Sequence, residues 1–204
     1  DKTNPKITNI SKDNPIPYTK ITWLPDYQRF GMSGMNEEIE SIIKKRVYDI
    51  AGITDKHTKV YFNNKVLEIK DFEKYVDLYL GSKTDVKRAY EESNGWQIIA
   101  TTSSDEVFEQ ISFVNGIFTQ RGGTHVDYIA DQIKNKLVDY IKKKKKLDIK
   151  PQIIKNQLKL FVNAYKIVNP RFDSQTKENL KTTRNQLGNQ FDISSKFIDQ
   201  LAKT

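Results

Sequence analysis

The stretch at residues 113–133, FVNGIFTQRGGTHVDYIADQI, constrains the fold of this chain more than any other. Apolar residues at period two change there to apolar residues at period three and four, with two glycines at the join. Ile111, Phe113 and Ile117 fit one face of a strand. Val126, Ile129, Ile133, Leu137 and Ile141 fit one stripe of a helix. Gly122 and Gly123 permit backbone angles that other residues resist. Thr124 is expected as the helix N-cap, with Asp127 closing a short version of the capping box. A strand that turns through glycine into such a helix needs a sheet with that helix packed on it. Such a turn can hold an anion, but it is also a common way to leave a strand, and neither G-x-x-x-x-G-K-[ST] nor G-x-G-x-x-G is present.

The rest of the pattern is mixed α/β (α+β). Residues 1–17, with Pro5, Pro15 and Pro17, read as a loop or mobile end. A strand is expected at 18–23, stopped by Pro25. A helix should start after Asn36, carry Ile39, Ile42, Ile43, Val47 and Ile50 on one side, and end at Gly52 as a left-handed cap. A short hairpin should turn at Asn63-Asn64, and a helix over 71–80 should close at Gly81. Asn94-Gly95 is the strongest hairpin signal in the chain. A strand over 109–119, a helix over 125–145 and a strand over 158–167 follow. Residues 169–190 read as loop-rich. The final helix, 194–202, turns Phe197, Ile198 and Leu201 inward. A domain boundary is expected near 65–71.

With 204 residues the chain can bury a core in one or two domains. The absence of Cys excludes disulfides and thiolate metal sites. A net charge of +8 favours a polyanionic partner. No stretch is long and apolar enough to span a membrane, and no secretory signal is visible. Without an initiator Met the chain reads as a fragment.

Two clusters carry chemistry. Lys142, Lys143, Lys144, Lys145 and Lys146 form an unbroken run flanked by Lys134, Lys136, Lys150 and Lys155. Such a run either solvates a helix end and complements its dipole, or meets phosphates. Gln175, Thr176 and Lys177 stand in the polar segment, where on residue types alone they are a solvated loop. His125 has no second His or Cys near it and reads as a hydrogen-bonding or packing residue; His57 reads as exposed.

SFVNGIFTQRGGTHVDYIADQI, residues 112–133, closely resembles the transducer domain of type IIA DNA topoisomerases, the eukaryotic and viral branch more than bacterial gyrase. TKITWLPDYQRFGM, RVYDIAGIT, KVYFNNK, FEKYVDLYL and FDSQTKENL resemble the same family in the same order. The resemblance implies that 1–65 ends an ATP-binding domain of the fold shared by gyrase, Hsp90, histidine kinases and MutL (GHKL). It implies that 66–204 is a transducer domain with a left-handed β-α-β crossover, truncated at its C-terminal helix. Lys177 would contact the ATP γ-phosphate as the catalytic cation, with Gln175 and Thr176 on the same nucleotide-binding loop. Thr19 would line the adenine pocket, the alternative being an ordinary strand threonine. Lys142, Lys143, Lys144, Lys145 and Lys146 would meet double-stranded DNA. The implied cofactors are ATP and Mg2+, with the metal ligands outside this chain, and the complete enzyme would be a nuclear homodimer, cytoplasmic if viral. The fragment alone would be inactive.

The glutamate base, the magnesium-binding asparagine and the glycine-rich boxes of the family are absent here, as is the Arg-Tyr pair of the cleavage domain. Thr124 stands where many eukaryotic members carry a basic residue. Leu147, Asp148 and Ile149 follow the lysines where glycines are common. The competing function is a non-enzymatic basic nucleic-acid-binding module of mixed α/β fold; a MutL-type repair ATPase is a third reading.

Overall fold

The computed structural model describes residues 17–187 and 191–204, in two compact units, 1–40 and 41–204. The expected loop at 1–17 lies almost wholly outside the described residues. In the first unit, residues 18–23 form no strand. A strand needs a neighbour to take its backbone hydrogen bonds, and no strand in the described part of this unit offers one. Tyr18, Ile21, Trp23 and Leu24 consequently stand exposed. A single 3-10 turn, Gln28–Phe30, ends at Gly31 in the left-handed region.

Helix α1 spans Glu37–Ile53, with the Asn36 side chain accepting the Ile39 N–H at 2.9 Å. Gly52 does not end it. That glycine lies inside the helix, and a Cβ there would collide with the Tyr75 side chain. Its smallness serves close packing instead of a cap. A short hairpin follows, β1 (Tyr61–Phe62) and β2 (Lys65–Val66), turning through Asn63 and Asn64, both at positive φ. Helix α2, Phe72–Leu80, starts where the Asp71 carboxylate accepts the Lys74 N–H, and ends at Gly81.

The sheet has five strands in the order β3-β4-β7-β5-β6: β3 Ala89–Ser93, β4 Trp96–Thr102, β5 Glu109–Val114, β6 Ile117–Phe118 and β7 Leu158–Ala164. Asn94 and Gly95 turn β3 into β4, both at positive φ as a two-residue hairpin requires. The single strand expected at 109–119 is itself a hairpin. Asn115 and Gly116 repeat the same turn, so Ile117 sits across from Val114 and not on a continuation of its strand. The strand expected to run to 167 stops at Ala164.

β5 and β7 are parallel neighbours, joined by a crossover that contains α3 (Thr124–Lys145) and α4 (Pro151–Asn156). The periodicity gave no sign of α4, a single turn and a half. Helix α5, Ser195–Leu201, starts at Ser194, whose hydroxyl accepts the Phe197 N–H. Alternation along the central strands divides two cores. Trp96, Ile98, Ala100, Leu160 and Val162 face the α3 stripe of Val126, Ile129, Ile133 and Leu137, together with Phe197 and Ile198 of α5. Ile99, Phe113 and Phe161 face Phe72, Tyr75 and Val76 of α2. The central strands β4 and β7 are thus covered on both faces, as a sheet with a parallel pair requires.

Candidate functional site

Residues 171–182 leave the sheet and fold back as a narrow loop with two limbs. The Asp173 N–H donates to the Asn179 carbonyl at 3.1 Å and the Lys181 N–H to the Arg171 carbonyl at 2.7 Å. Phe172 and Leu180 form an isolated antiparallel bridge. The tip holds the three residues singled out in the sequence. Gln175 and Thr176 are exposed and Lys177 is half-buried. The Lys177 N–H donates to the Ser174 carbonyl at 3.1 Å, and the Ser174 and Thr176 hydroxyls share a hydrogen bond at 2.8 Å. Lys177 itself sits in the left-handed region at φ 58°, uncommon for a residue with a side chain. Among the described residues its ammonium has no salt-bridge partner.

This loop lies on the glycine turn that opens the sequence argument. The Arg121 N–H donates to the Glu178 carbonyl at 2.9 Å, the Leu180 N–H to the Gly122 carbonyl at 3.0 Å, and the Thr124 N–H to the Leu180 carbonyl at 3.1 Å. Gly123, at φ 128°, pairs with Leu180 in an isolated parallel bridge, and a Cβ at this position would collide with the Leu180 backbone. The two glycines therefore serve a backbone-on-backbone approach. Thr124 is not the N-cap but the first residue of α3, following Gly123. Its hydroxyl reaches the Thr182 carbonyl at 2.6 Å. The helix start is largely filled by protein, as a plain exit from the strand would have it: a peptide carbonyl takes the Thr124 N–H, and the Gly123 carbonyl takes those of Val126 and Asp127.

His125 is buried beneath the turn. Its Nε2 lies 3.1 Å from the Thr119 hydroxyl, which in turn shares a hydrogen bond with Ser112 at 2.6 Å. Burial pushes the imidazole down to about 3, so it stays neutral at physiological pH. Among the described residues no group of three or more His, Cys, Asp or Glu side chains could hold a metal ion. Asp127 does not cap; it meets Lys155 of α4 at 3.3 Å.

The other end of α3 carries the lysine run. Lys142, Lys143, Lys144 and Lys145 form its last turn, Lys146 ends it in the left-handed region, and all five are exposed. None has a salt-bridge partner among the described residues. Three of the four flanking lysines differ, Lys150 being exposed like the run. Lys134 meets Asp131 at 2.7 Å, Lys136 meets Asp192 at 2.7 Å, and Lys155 meets Asp127. Burial works to raise the Asp131 carboxyl, but hydrogen bonds from Lys134 and Arg184 win and hold it below its ordinary range. With 22 residues, α3 spans about 33 Å between the loop and the run. Thr19 is exposed, in the first unit.

Periodicity also missed a buried polar knot. Asp49 of α1, 1% exposed, accepts from the Tyr75 hydroxyl at 2.7 Å and from Lys45 at 2.9 Å. The Lys45 ammonium also lies 3.9 Å from the centre of the Phe118 ring. The single signal for it in the sequence was an acidic residue between apolar helix positions.

The family model that matches, DNA gyrase B, covers residues 53–204. DNA topoisomerase 2 of Candida glabrata is 44% identical over 98% of this chain, and the match spans 15% of that protein. DNA topoisomerase 2-alpha of Gallus gallus is 45% identical over 89% of the chain and 12% of its own length. Among solved structures, the ATPase region of Saccharomyces cerevisiae topoisomerase II superposes with a TM-score of 0.79 at 41% identity, covering 88% of this chain and 46% of that one. The ATPase and transducer domains of Balamuthia mandrillaris topoisomerase II give 0.79 at 36% identity, covering 88% and 45%. The mixed α/β fold is thus that of topoisomerase II ATPase regions. The chain belongs to the type IIA DNA topoisomerases, the family of the DNA gyrase B model and of the DNA topoisomerase 2 relatives, and spans a small fraction of the curated relatives it matches.

Proposed function

We propose that this chain is the transducer segment of an ATP-dependent type II DNA topoisomerase, and that its Gln175-Thr176-Lys177 loop senses the ATP γ-phosphate. The division at 65/66, between the end of an ATP-binding domain and a transducer, belongs to the same proposal. So do duplex DNA as partner, the homodimer, and the nucleus (the cytoplasm for a viral parent) as the place of action.

One observation carries the reading: the limbs of the loop are bonded to the glycine turn and the start of α3, while its tip holds an exposed amide and a half-buried cation with no salt-bridge partner among the described residues. That donor set fits phosphate oxygens. Bound ATP supplies the transferable phosphoryl group, and Mg2+ the compensating charge. The Lys177 ammonium adds positive charge where negative charge spreads in the transition state, and the Gln175 amide orients it. After release of phosphate that contact is gone, so the loop reports nucleotide state. Because the limbs are fixed to α3, a displaced tip moves the helix that ends in the lysine run. Contacts from those lysines go to phosphates and are independent of base sequence.

The test is DNA-stimulated ATP hydrolysis by the complete enzyme. Lys177→Ala is expected to lose about 100-fold or more in turnover, as with the loss of other transition-state donors, while ADP still binds. Unchanged turnover sinks the sensor and leaves the basic nucleic-acid-binding module as the better reading.

A further inference from the structure

We infer that Thr124 is a positioning residue for Lys177, acting through the Thr182 carbonyl. The inference rests on the sensor reading above. Two residues, Glu178 and Asn179, separate Lys177 from Leu180, so the place of the ammonium depends on how the limbs are anchored. Most of the anchoring bonds join main chain to main chain: Arg121 to Glu178, Leu180 to Gly122, Thr124 to Leu180. They hold the limb between tip and bridge, and many residue types could supply them.

Thr124 adds a bond that depends on its side chain. A hydroxyl has one hydrogen, and the 2.6 Å approach to the Thr182 carbonyl takes it. Thr182 is 1% exposed, and its own hydroxyl accepts the Arg171 N–H at 2.8 Å. The chain Thr124–Thr182–Arg171 therefore ties both limbs to the first turn of α3 at once. Thr182 is buried, so water cannot replace the bond when it is lost. Among the described residues the hydrogen bonds of Ser174, Thr176 and the Lys177 N–H are internal to the tip. Without the Thr124 hydroxyl the limbs keep the main-chain bonds at Glu178 and Leu180 but lose the tie that holds the Arg171 limb to α3 through Thr182, and the tip shifts with that limb.

Valine has the shape of threonine without the hydroxyl, and serine keeps the hydroxyl. In the complete enzyme Thr124→Val is expected to lower kcat for ATP hydrolysis about tenfold with ADP affinity unchanged, and Thr124→Ser to restore it. Amide hydrogen exchange across 178–182 should quicken in the valine form and recover in the serine form, which reads the anchor without reference to turnover. In a Lys177→Ala background, Thr124→Val should cost nothing further. A valine form with normal kcat, or one whose loss persists undiminished beside Lys177→Ala, overturns the inference alone. A silent Lys177→Ala overturns the sensor reading and the inference with it.

Discussion

The two ends of α3 are built on opposite terms. At the start, protein meets protein: Gly123 touches the Leu180 backbone, the Thr124 hydroxyl is taken by Thr182, and His125 is sealed beneath as a neutral ring. At the finish, five lysines stand in solvent with no salt-bridge partner among the described residues. One end is packed against the chain's own backbone, while the other holds like charges whose repulsion an outside anion or solvent relieves. The flanking lysines sharpen the lesson, because Lys134, Lys136 and Lys155 have carboxylates within reach and act inside the fold. Of nine lysines near one another in sequence, three have carboxylate partners, and the run and Lys150 have no salt-bridge partner among the described residues.

Gly123→Ala should break the closed end most severely. The added Cβ meets the Leu180 backbone, which has no flexible end to yield, and the φ of 128° is strained for any side chain. A loss of about 3 kcal/mol is expected, read as a shift in the denaturant midpoint. Gly116→Ala is the control: its φ is also positive but no atom lies within 4 Å, so a loss as large would put the cause in backbone strain and not in the docked loop.

Acid should open the same end more gently. The His125 pKa is lowered by burial to about 3 when folded, against about 6.5 unfolded. The unfolded chain therefore binds the extra proton first, and stability is lost as pH falls from about 6.5 towards 3. Between pH 7 and 5 the loss is about 2 kcal/mol. Replacing His125 by Gln should flatten the pH profile over that window, and an unchanged slope would mean that the ring is open to water.

The smallest effect belongs to the open end. Changing Lys142, Lys143, Lys144, Lys145 and Lys146 to Gln should weaken duplex DNA binding by the complete enzyme about tenfold at physiological salt. The salt slope should fall by about 0.9 for each phosphate contact removed. Changing Lys134, Lys136 and Lys155 instead should leave that slope alone. Equal slopes for the two sets would erase the distinction between them.

The pattern of residues was a good guide wherever the chain reads its own neighbours. The α3 stripe, the Asn94-Gly95 hairpin, and the starts of α2 at Asp71 and α5 at Ser194 depend on a few adjacent residues. It misled wherever a distant segment supplies the reason. The strand at 18–23 has the composition of a strand and no described neighbour to pair with. Gly52 looks like a helix end, but Tyr75 demands its smallness. Thr124 looks like a cap because the carbonyl its hydroxyl prefers lies 58 residues away. The hairpin at Asn115-Gly116 was legible by the same rule that located Asn94-Gly95, yet the apolar period running through it masked the turn.

The candidate site divides the same way. Gln175, Thr176 and Lys177 are proposed from resemblance, since nothing in three polar residues announces a phosphate. By itself the sequence determined the helix, its glycine start, its basic finish, the Asn63-Asn64 and Asn94-Gly95 turns, and the family, because each is written in local order. Only the tertiary structure decided what the glycines are for, which lysines are already paired, and which carbonyls hold the loop. Those are matters of distance between segments far apart in the chain, and packing sets such distances only after the sheet has brought Leu180 onto Gly123.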